Sequence, residues 1–127
     1  MFKILMIDDS KTVHSYVKNL LLPFHEILVH SVFDGAEALQ FLKTESDFNI
    51  IFLDWEMPKL NGPATFLELK KSNCKVPVLM MTTKNKVTDI AYMLELGVNE
   101  YLMKPFTVDI LLEKIEYITG KTFTNAA

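Results

Sequence analysis

The chain has 127 residues, half of them hydrophobic, and its formal charge is −3. This length suits one domain, and so large an apolar share can fill a single core without disulfides or structural metals. The chain contains no arginine, the residue that most often reads bases and clamps phosphates, so we expect no nucleic-acid partner. Cys74 is the only cysteine, which excludes an intrachain disulfide and a Cys-rich zinc site.

The sequence carries no signal for a membrane. No segment approaches the roughly 18 consecutive apolar residues of a membrane span. The N-terminal run ends at Asp8 and Asp9 without the small-residue cleavage site of a signal peptide. We therefore expect a cytoplasmic protein with no membrane insertion, a monomer, formed by a single domain over residues 1–127 with no output domain attached.

Strand-like apolar runs alternate with helical patterns along the chain. The predicted strands cover residues 3–7, 26–32, 50–53, 76–81 and 101–103. The predicted helices cover residues 11–22, 35–42, 64–71, 89–96 and 108–118. Three of the strands are nearly continuous apolar runs, which is typical of strands buried on both faces of a parallel sheet.

Boundary signals support several of the helices. Ser10 stands where an N-cap is expected, and Pro23 follows the end of the first helical pattern. Pro63 suits the first position of the third helix, and Gly97 suits the end of the fourth. Strict alternation of five strands and five helices predicts a three-layer α/β/α fold around a parallel sheet.

Polar residues follow four of the predicted strands. They are Asp8 and Asp9 after the first, Asp54 after the third, Thr82 and Thr83 after the fourth, and Lys104 with Pro105 after the fifth. In a parallel α/β sheet these carboxyl ends meet at one edge, where ligands bind.

This set of residue types points to phosphoryl chemistry. Three carboxylates held together repel one another unless a cation neutralises them, and oxygen ligands with open positions suit Mg²⁺. A carboxylate can also accept a phosphoryl group covalently. Lys104 could then pair with a phosphoryl oxygen, and the Thr82 hydroxyl could donate to another. Each residue alone has an ordinary structural explanation, such as a helix start, a turn or a surface lysine, so the joint occurrence carries the hypothesis.

The sequence resembles the receiver domains of two-component response regulators, and in layout the CheY-like single-domain chemotaxis regulators. The matching segments are residues 4–10 (ILMIDDS), 52–58 (FLDWEMP) with Asn61 and Gly62, 78–82 (VLMMT) and 101–106 (YLMKPF). They follow one another at the spacing of that family over nearly the whole chain. The resemblance implies the flavodoxin-like strand order 2-1-3-4-5.

The resemblance also implies roles for the site residues. Asp54 would be the phosphoacceptor; Asp9, Asp54 and the backbone carbonyl of Glu56 would bind Mg²⁺ directly, and Asp8 through water. Thr82, Lys104 and the backbone N–H groups of Trp55 and Thr83 would bind the phosphoryl group. The Lys104–Pro105 peptide bond is expected to be cis.

Signalling would follow from the same resemblance. Thr82 would move toward the phosphoryl group and Tyr101 would turn inward, changing the face formed by the fourth helix, fifth strand and fifth helix. The partner surface would be the face built by Ile90, Tyr92, Met93, Tyr101, Lys104, Ile110 and Lys114, with some of these residues expected to belong to the core instead.

Two departures from the family pattern stand at the mouth of the site. Glu56 lies two residues after the acceptor and Lys84 two residues after the threonine. We predict that the two side chains approach each other and gate the access of water to the acyl phosphate.

The implied partners are a histidine kinase or histidine phosphotransfer protein and a downstream target such as the flagellar motor switch. The first helix, with His14, Tyr16 and Lys18 on its surface, would help to dock the kinase. A phosphorelay intermediate and a phosphorylation-independent adaptor remain alternatives. A haloacid-dehalogenase-like hydrolase is disfavoured by Glu56, since that class carries a second Asp there, and a flavin module by the acidic residues after the first strand.

Overall fold

A computed structural model describes residues 1–125. The strands are β1 (Phe2–Ile7), β2 (Ile27–Val32), β3 (Ile50–Asp54), β4 (Val78–Thr82) and β5 (Glu100–Met103). The helices are α1 (Lys11–Leu21), α2 (Gly35–Phe41), α3 (Gly62–Lys71), α4 (Val87–Leu96) and α5 (Val108–Thr119). None of the helices in the described part of the chain is long and apolar enough to cross a membrane.

The five strands form one parallel sheet in the order β2-β1-β3-β4-β5, which confirms the predicted topology. The chain starts near the middle of the sheet, moves out to β2, and then crosses back to β3 and beyond. The order reverses between β1 and β3, so loops leave these two strands in opposite directions and open a crevice at their carboxyl ends.

Two apolar clusters cover the two faces of the sheet. One joins the inward residues of α2, α3 and α4 to the sheet, and the other joins those of α1 and α5. Every residue of β3 and β4 is buried. Burial on both faces explains why these strands read as continuous apolar runs rather than alternating ones.

The helix ends show where local signals were sufficient. The Ser10 side chain caps α1 by accepting a hydrogen bond from the backbone of Val13 at 3.2 Å, and α4 ends at Gly97 in the left-handed conformation. Helix α3 begins at Gly62 rather than at the predicted residue 64, because the Asn61 side chain accepts from the Ala64 N–H at 2.9 Å. Helix α4 begins two residues earlier than predicted and has no side-chain cap.

Candidate functional site

Three carboxylates meet at the crevice between β1 and β3. Asp8 and Asp9 follow β1 directly and Asp54 ends β3, and the two strands lie side by side with Ile7 opposite Leu53. One oxygen of each carboxylate lies within 4.8 Å of the others. Asp8 and Asp54 are buried, whereas Asp9 is exposed. The topology therefore brings together the acidic residues that the sequence analysis singled out.

Lys104 provides the positive charge at this cluster. Its Nζ donates to Asp54 Oδ1 at 2.8 Å and to Asp8 Oδ2 at 3.0 Å. The backbone N–H of Lys104 extends the β4–β5 ladder by donating to the Thr82 carbonyl at 2.8 Å. The Lys104–Pro105 peptide bond is cis, as the family resemblance implied. A lysine near the edge of the sheet thus reaches across β4 to the end of β3.

Burial and neighbouring charges shift the pKa values of Asp54 and Lys104. Burial raises the pKa of the Asp54 carboxyl to about 6; the hydrogen bond from Lys104 opposes this rise, and the charges of Asp8 and Asp9 add to it. Burial lowers the pKa of Lys104, but its hydrogen bonds and charge interactions with Asp54 and Asp8 outweigh burial and raise it overall. Lys104 is therefore a cation, and keeping Asp54 as an anion lowers the stability of the folded protein.

The donor set fits a hard divalent cation. One ammonium faces three carboxylates, so the cluster keeps an excess of negative charge in a partly buried place. The ligand atoms are oxygens, which Mg²⁺ prefers, and the exposed Asp9 leaves the cluster open to water on one side.

A cavity of about 210 Å³ lies over the cluster. It is lined by Asp8, Asp9, Ser10, Asp54, Glu56, Thr82, Thr83 and Lys104. The buried Thr82 hydroxyl, at the end of β4, accepts a hydrogen bond from the Lys84 N–H at 2.8 Å. Its own proton is thereby left for another acceptor. The cavity thus presents a hydroxyl, an ammonium and a carboxylate to one small space.

The backbone N–H of Trp55 takes part in strand pairing. It donates to the Met81 carbonyl at 3.0 Å and so continues the β3–β4 ladder. Trp55 is also not among the residues that line the cavity over Asp54. Regular strand pairing therefore persists one residue beyond Asp54, and the assistance of this N–H group to a phosphoryl group stays a prediction.

Glu56 and Lys84 lie close together, as predicted. Lys84 Nζ is 3.3 Å from Glu56 Oε1, with the lysine partly and the glutamate largely exposed. The same Nζ lies 5.4 Å from the centre of the Trp55 ring. Glu56 borders the cavity over Asp54. We call Glu56 and Lys84 the mouth pair.

Tyr101 is half-buried on β5 and packs against the cluster that contains α4. Lys114 of α5 places its Nζ 5.0 Å from the ring centre and 3.6 Å from Glu100 Oε2. Tyr92 and Ile110 of the predicted output face are exposed, but Met93 is fully buried. Met93 is therefore one of the residues of this set that belong to the core, because α4 turns this position toward the sheet.

Two residues contribute to the site in ways that sequence patterns did not reveal. His14 is buried, not on the surface as we expected, and its Nε2–H donates to the Asp8 carbonyl at 2.7 Å. Gly62 starts α3 against the end of β3: a Cβ there would lie 2.4 Å from the Asp54 carbonyl oxygen. His14 and Gly62 therefore position the backbone that carries Asp8 and Asp54.

The fold and the site define a doubly wound α/β protein with an acidic, lysine-capped pocket at its switch point. Comparison with known proteins is consistent with this class. Residues 4–116 match the model of the response regulator receiver domain. The chain is 34% identical to chemotaxis protein CheY1 of Helicobacter pylori over 93% of this chain and 97% of that protein.

Two further relatives agree. Chemotaxis protein CheY-3 of Vibrio cholerae is 36% identical over 91% of this chain and 90% of its own length. The structure of the Francisella response regulator 1452 receiver domain superposes with a TM-score of 0.83 at 30% identity, covering 94% of this chain and 98% of that one. The chain belongs to the response regulator receiver family.

Proposed function

We propose that the chain accepts a phosphoryl group on Asp54 in a Mg²⁺-dependent reaction, and that the phosphorylated form signals to a partner protein. The observation that carries this proposal is the position of the Asp54 carboxylate, in a small cavity between two other acids, a lysine ammonium and a threonine hydroxyl. Burial favours the protonated form of a carboxyl group, but only the charged carboxylate is a nucleophile. Neighbouring cations are therefore needed to keep Asp54 charged.

The residues of this chain divide the chemistry among them. A carboxylate oxygen of Asp54 forms the new P–O bond as the bond from phosphorus to the donor nitrogen breaks. Mg²⁺, held by Asp9, Asp54 and the Glu56 carbonyl, would neutralise charge on the carboxylates and the transferring group. Both oxygens of Asp8 already accept hydrogen bonds, from Ser10 N–H at 2.8 Å and from Lys104, which favours contact with the ion through water.

Lys104 and Thr82 would bind the phosphoryl group once it is attached to Asp54. Lys104 is bonded to Asp54 Oδ1 before transfer and can follow the added negative charge onto a phosphoryl oxygen without leaving the cavity. The Thr82 hydroxyl can donate to a second oxygen, and the backbone N–H of Thr83, a residue that also lines the cavity, would donate to the phosphoryl group as well. Asp54 must give up its bond to Lys104 as the phosphoryl group arrives, so the lysine also stabilises the charge that develops.

The signal would pass from Thr82 to the face formed by α4, β5 and α5. Movement of Thr82 toward the phosphoryl group would open space for Tyr101, which is half-buried on the next strand. The phosphoryl group must interact better with the inward state of Tyr101 than with the outward one for the population to shift. The exposed Tyr92 and Ile110 on this face would then contact the partner.

We infer a role in chemotaxis, with a histidine kinase or phosphotransfer protein as donor and the flagellar motor switch as target. This inference is supported by relatives named as chemotaxis proteins that align over more than nine-tenths of the chain. The protein would act in the cytoplasm as a signalling protein whose only catalysis is its own phosphorylation and its slow autodephosphorylation.

Tryptophan fluorescence tests this proposal. Trp55 is the only tryptophan and adjoins Asp54, so its emission should respond to Mg²⁺ and then to acetyl phosphate or beryllofluoride. The response to the phosphodonor should be absent in Asp54→Asn and in wild type treated with EDTA. If the wild-type protein responds to neither Mg²⁺ nor the phosphodonor, the proposal is contradicted and a phosphorylation-independent adaptor is favoured instead.

A further inference from the structure

A chain of side-chain contacts leads from the mouth of the site to the outer surface of α4. Lys84 pairs with Glu56 at 3.3 Å and lies 5.4 Å from the centre of the Trp55 ring. Tyr92 of α4 also packs against that ring, with ring centres 6.0 Å apart and planes inclined at 49°. Glu56 and Tyr92 are thereby connected through Lys84 and Trp55.

The indole ring lies in the middle of this chain of contacts, between Lys84 and Tyr92. Trp55 is buried, with 8% of its surface exposed, while Tyr92 is 45% exposed. Lysine has a flexible side chain and loses its position readily unless more than one group holds it. Here the Glu56 carboxylate and the indole face hold the same ammonium, and the face can do so only while the ring keeps its orientation.

The mouth pair stands between two cavities. Glu56 and Asp9 line both the 210 Å³ cavity over Asp54 and a neighbouring one of about 460 Å³. Trp55 and Lys84 line the second cavity, which is the more open side for solvent. Water that reaches Asp54 from this side passes the mouth pair, so its arrangement bears on hydrolysis of an acyl phosphate.

We propose that Tyr92 is a positioning residue for dephosphorylation, which acts by holding the Trp55 ring under Lys84 and so keeping the mouth pair closed. This inference rests on the proposed function, since it concerns the lifetime of the Asp54 phosphate. It means that the surface of α4, and not only the residues at the mouth, sets how long the phosphorylated state persists. The coupling is separate from the Thr82 and Tyr101 movement, because it does not pass through either residue.

The test compares dephosphorylation rates of the full-length variants. Each protein is phosphorylated with radiolabelled acetyl phosphate and Mg²⁺, freed of donor, and followed by loss of label. Tyr92→Ala should lose phosphate about two- to fivefold faster than wild type, the range set by loss of one exposed cation–π contact. Tyr92→Phe keeps the ring and should decay at the wild-type rate.

Two further comparisons distinguish a specific effect of Tyr92 on Trp55 from a general destabilisation of α4. Leu94 lies on the same helix and is 49% exposed, so Leu94→Ala removes a similar surface side chain without touching Trp55 and should leave the rate unchanged. In a Lys84→Ala background, Tyr92→Ala should add nothing, because the two substitutions break the same connection. The fluorescence anisotropy of Trp55 should fall in Tyr92→Ala, because the ring is no longer held, and should keep its wild-type value in Tyr92→Phe.

The outcomes distinguish this inference from the function beneath it. If wild type takes up label and Tyr92→Ala decays at the same rate, the positioning role is overturned while the phosphoacceptor proposal stands. A rate increase that persists undiminished in the Lys84→Ala background would also overturn it. If wild type takes up no label, the proposed function itself fails.

Discussion

Replacement of Asp54 by Asn should stabilise the metal-free protein. The side chain is almost fully buried between two other acids, and this raises its pKa from the ordinary 3.8 to about 6. An asparagine of the same shape has no charge to desolvate and retains an oxygen that can accept from Lys104. A site prepared for a cation and a phosphoryl group is thus unstable when it holds neither.

The magnitude and its pH dependence follow from the pKa difference. Below about pH 3.8 the carboxyl is protonated in both the folded and unfolded chains, so it costs nothing. Between that pH and about 6 the unfolded chain has lost its proton while the folded chain retains it, and the free energy of unfolding falls as pH rises. Above pH 6 the full cost is present, about 3 kcal/mol for a difference of about two pKa units.

Urea denaturation in EDTA, followed by far-UV circular dichroism, measures this difference. We expect the free energy of unfolding of Asp54→Asn to exceed that of wild type by about 3 kcal/mol at neutral to alkaline pH. Near pH 5 the difference should be about half as large. Saturating Mg²⁺ should reduce or reverse this difference in the free energy of unfolding, since the ion binds the folded wild type more strongly than the folded variant.

Asp47→Asn provides the matched control. Asp47 is an exposed acid whose pKa is lowered, because its hydrogen bond to Lys3 outweighs the opposing effect of burial. Its replacement should give no stabilisation at any pH. An Asp54→Asn protein that is no more stable than wild type in EDTA at neutral pH would refute the electrostatic reasoning, and so would a gap that does not shrink toward acid pH.

Four other predictions concern the same site. Mg²⁺ affinity, measured by Trp55 fluorescence, should fall as the pH drops through about 6, because protonation of Asp54 competes with the ion; an affinity that is constant from pH 8 to 5 would contradict this. Lys104→Ala should destabilise the metal-free protein by about 3 kcal/mol in urea denaturation, because it leaves two buried carboxylates without a cation, and added Mg²⁺ should restore most of the loss. Gly62→Ala should cost about 1–3 kcal/mol, since its Cβ would overlap the Asp54 carbonyl; unchanged thermal stability would show that α3 moves away freely. Glu56→Asn should shorten the lifetime of the phosphorylated form by opening the mouth pair, and an unchanged lifetime in both this variant and Lys84→Ala would remove the gating role.

The alternation of apolar runs and helical patterns was sufficient to predict the fold. Strands buried on both faces must be covered by helices on both sides, and right-handed crossovers leave few arrangements. The meeting of the acids, Thr82 and Lys104 followed from the rule that strand ends share one edge of the sheet. Periodicity thus predicted the parallel α/β class and the shared edge, whereas the strand order 2-1-3-4-5 came from the resemblance to receiver domains.

What sequence did not reveal depends on the rotation of helices and on close packing. His14, Val17 and Leu21 are the buried residues of α1 and share one face at helical spacing, but a histidine in that pattern is read as polar and placed outside. Met93 and Tyr92 are neighbours on α4, and only tertiary packing turns the first to the core and the second toward Trp55. The Asn61 cap was missed because Pro63 offered a competing start for α3.

Intact-protein mass spectrometry tests the central claim most directly. Wild type and Asp54→Asn are incubated with acetyl phosphate in the presence of Mg²⁺ or EDTA, and the modified peptide is mapped. Phosphorylation at Asp54 predicts the gain of one phosphoryl group in wild type with Mg²⁺ only, on the peptide that contains Asp54, and its removal by hydroxylamine. No gain in wild type, or an equal gain in Asp54→Asn, would contradict it.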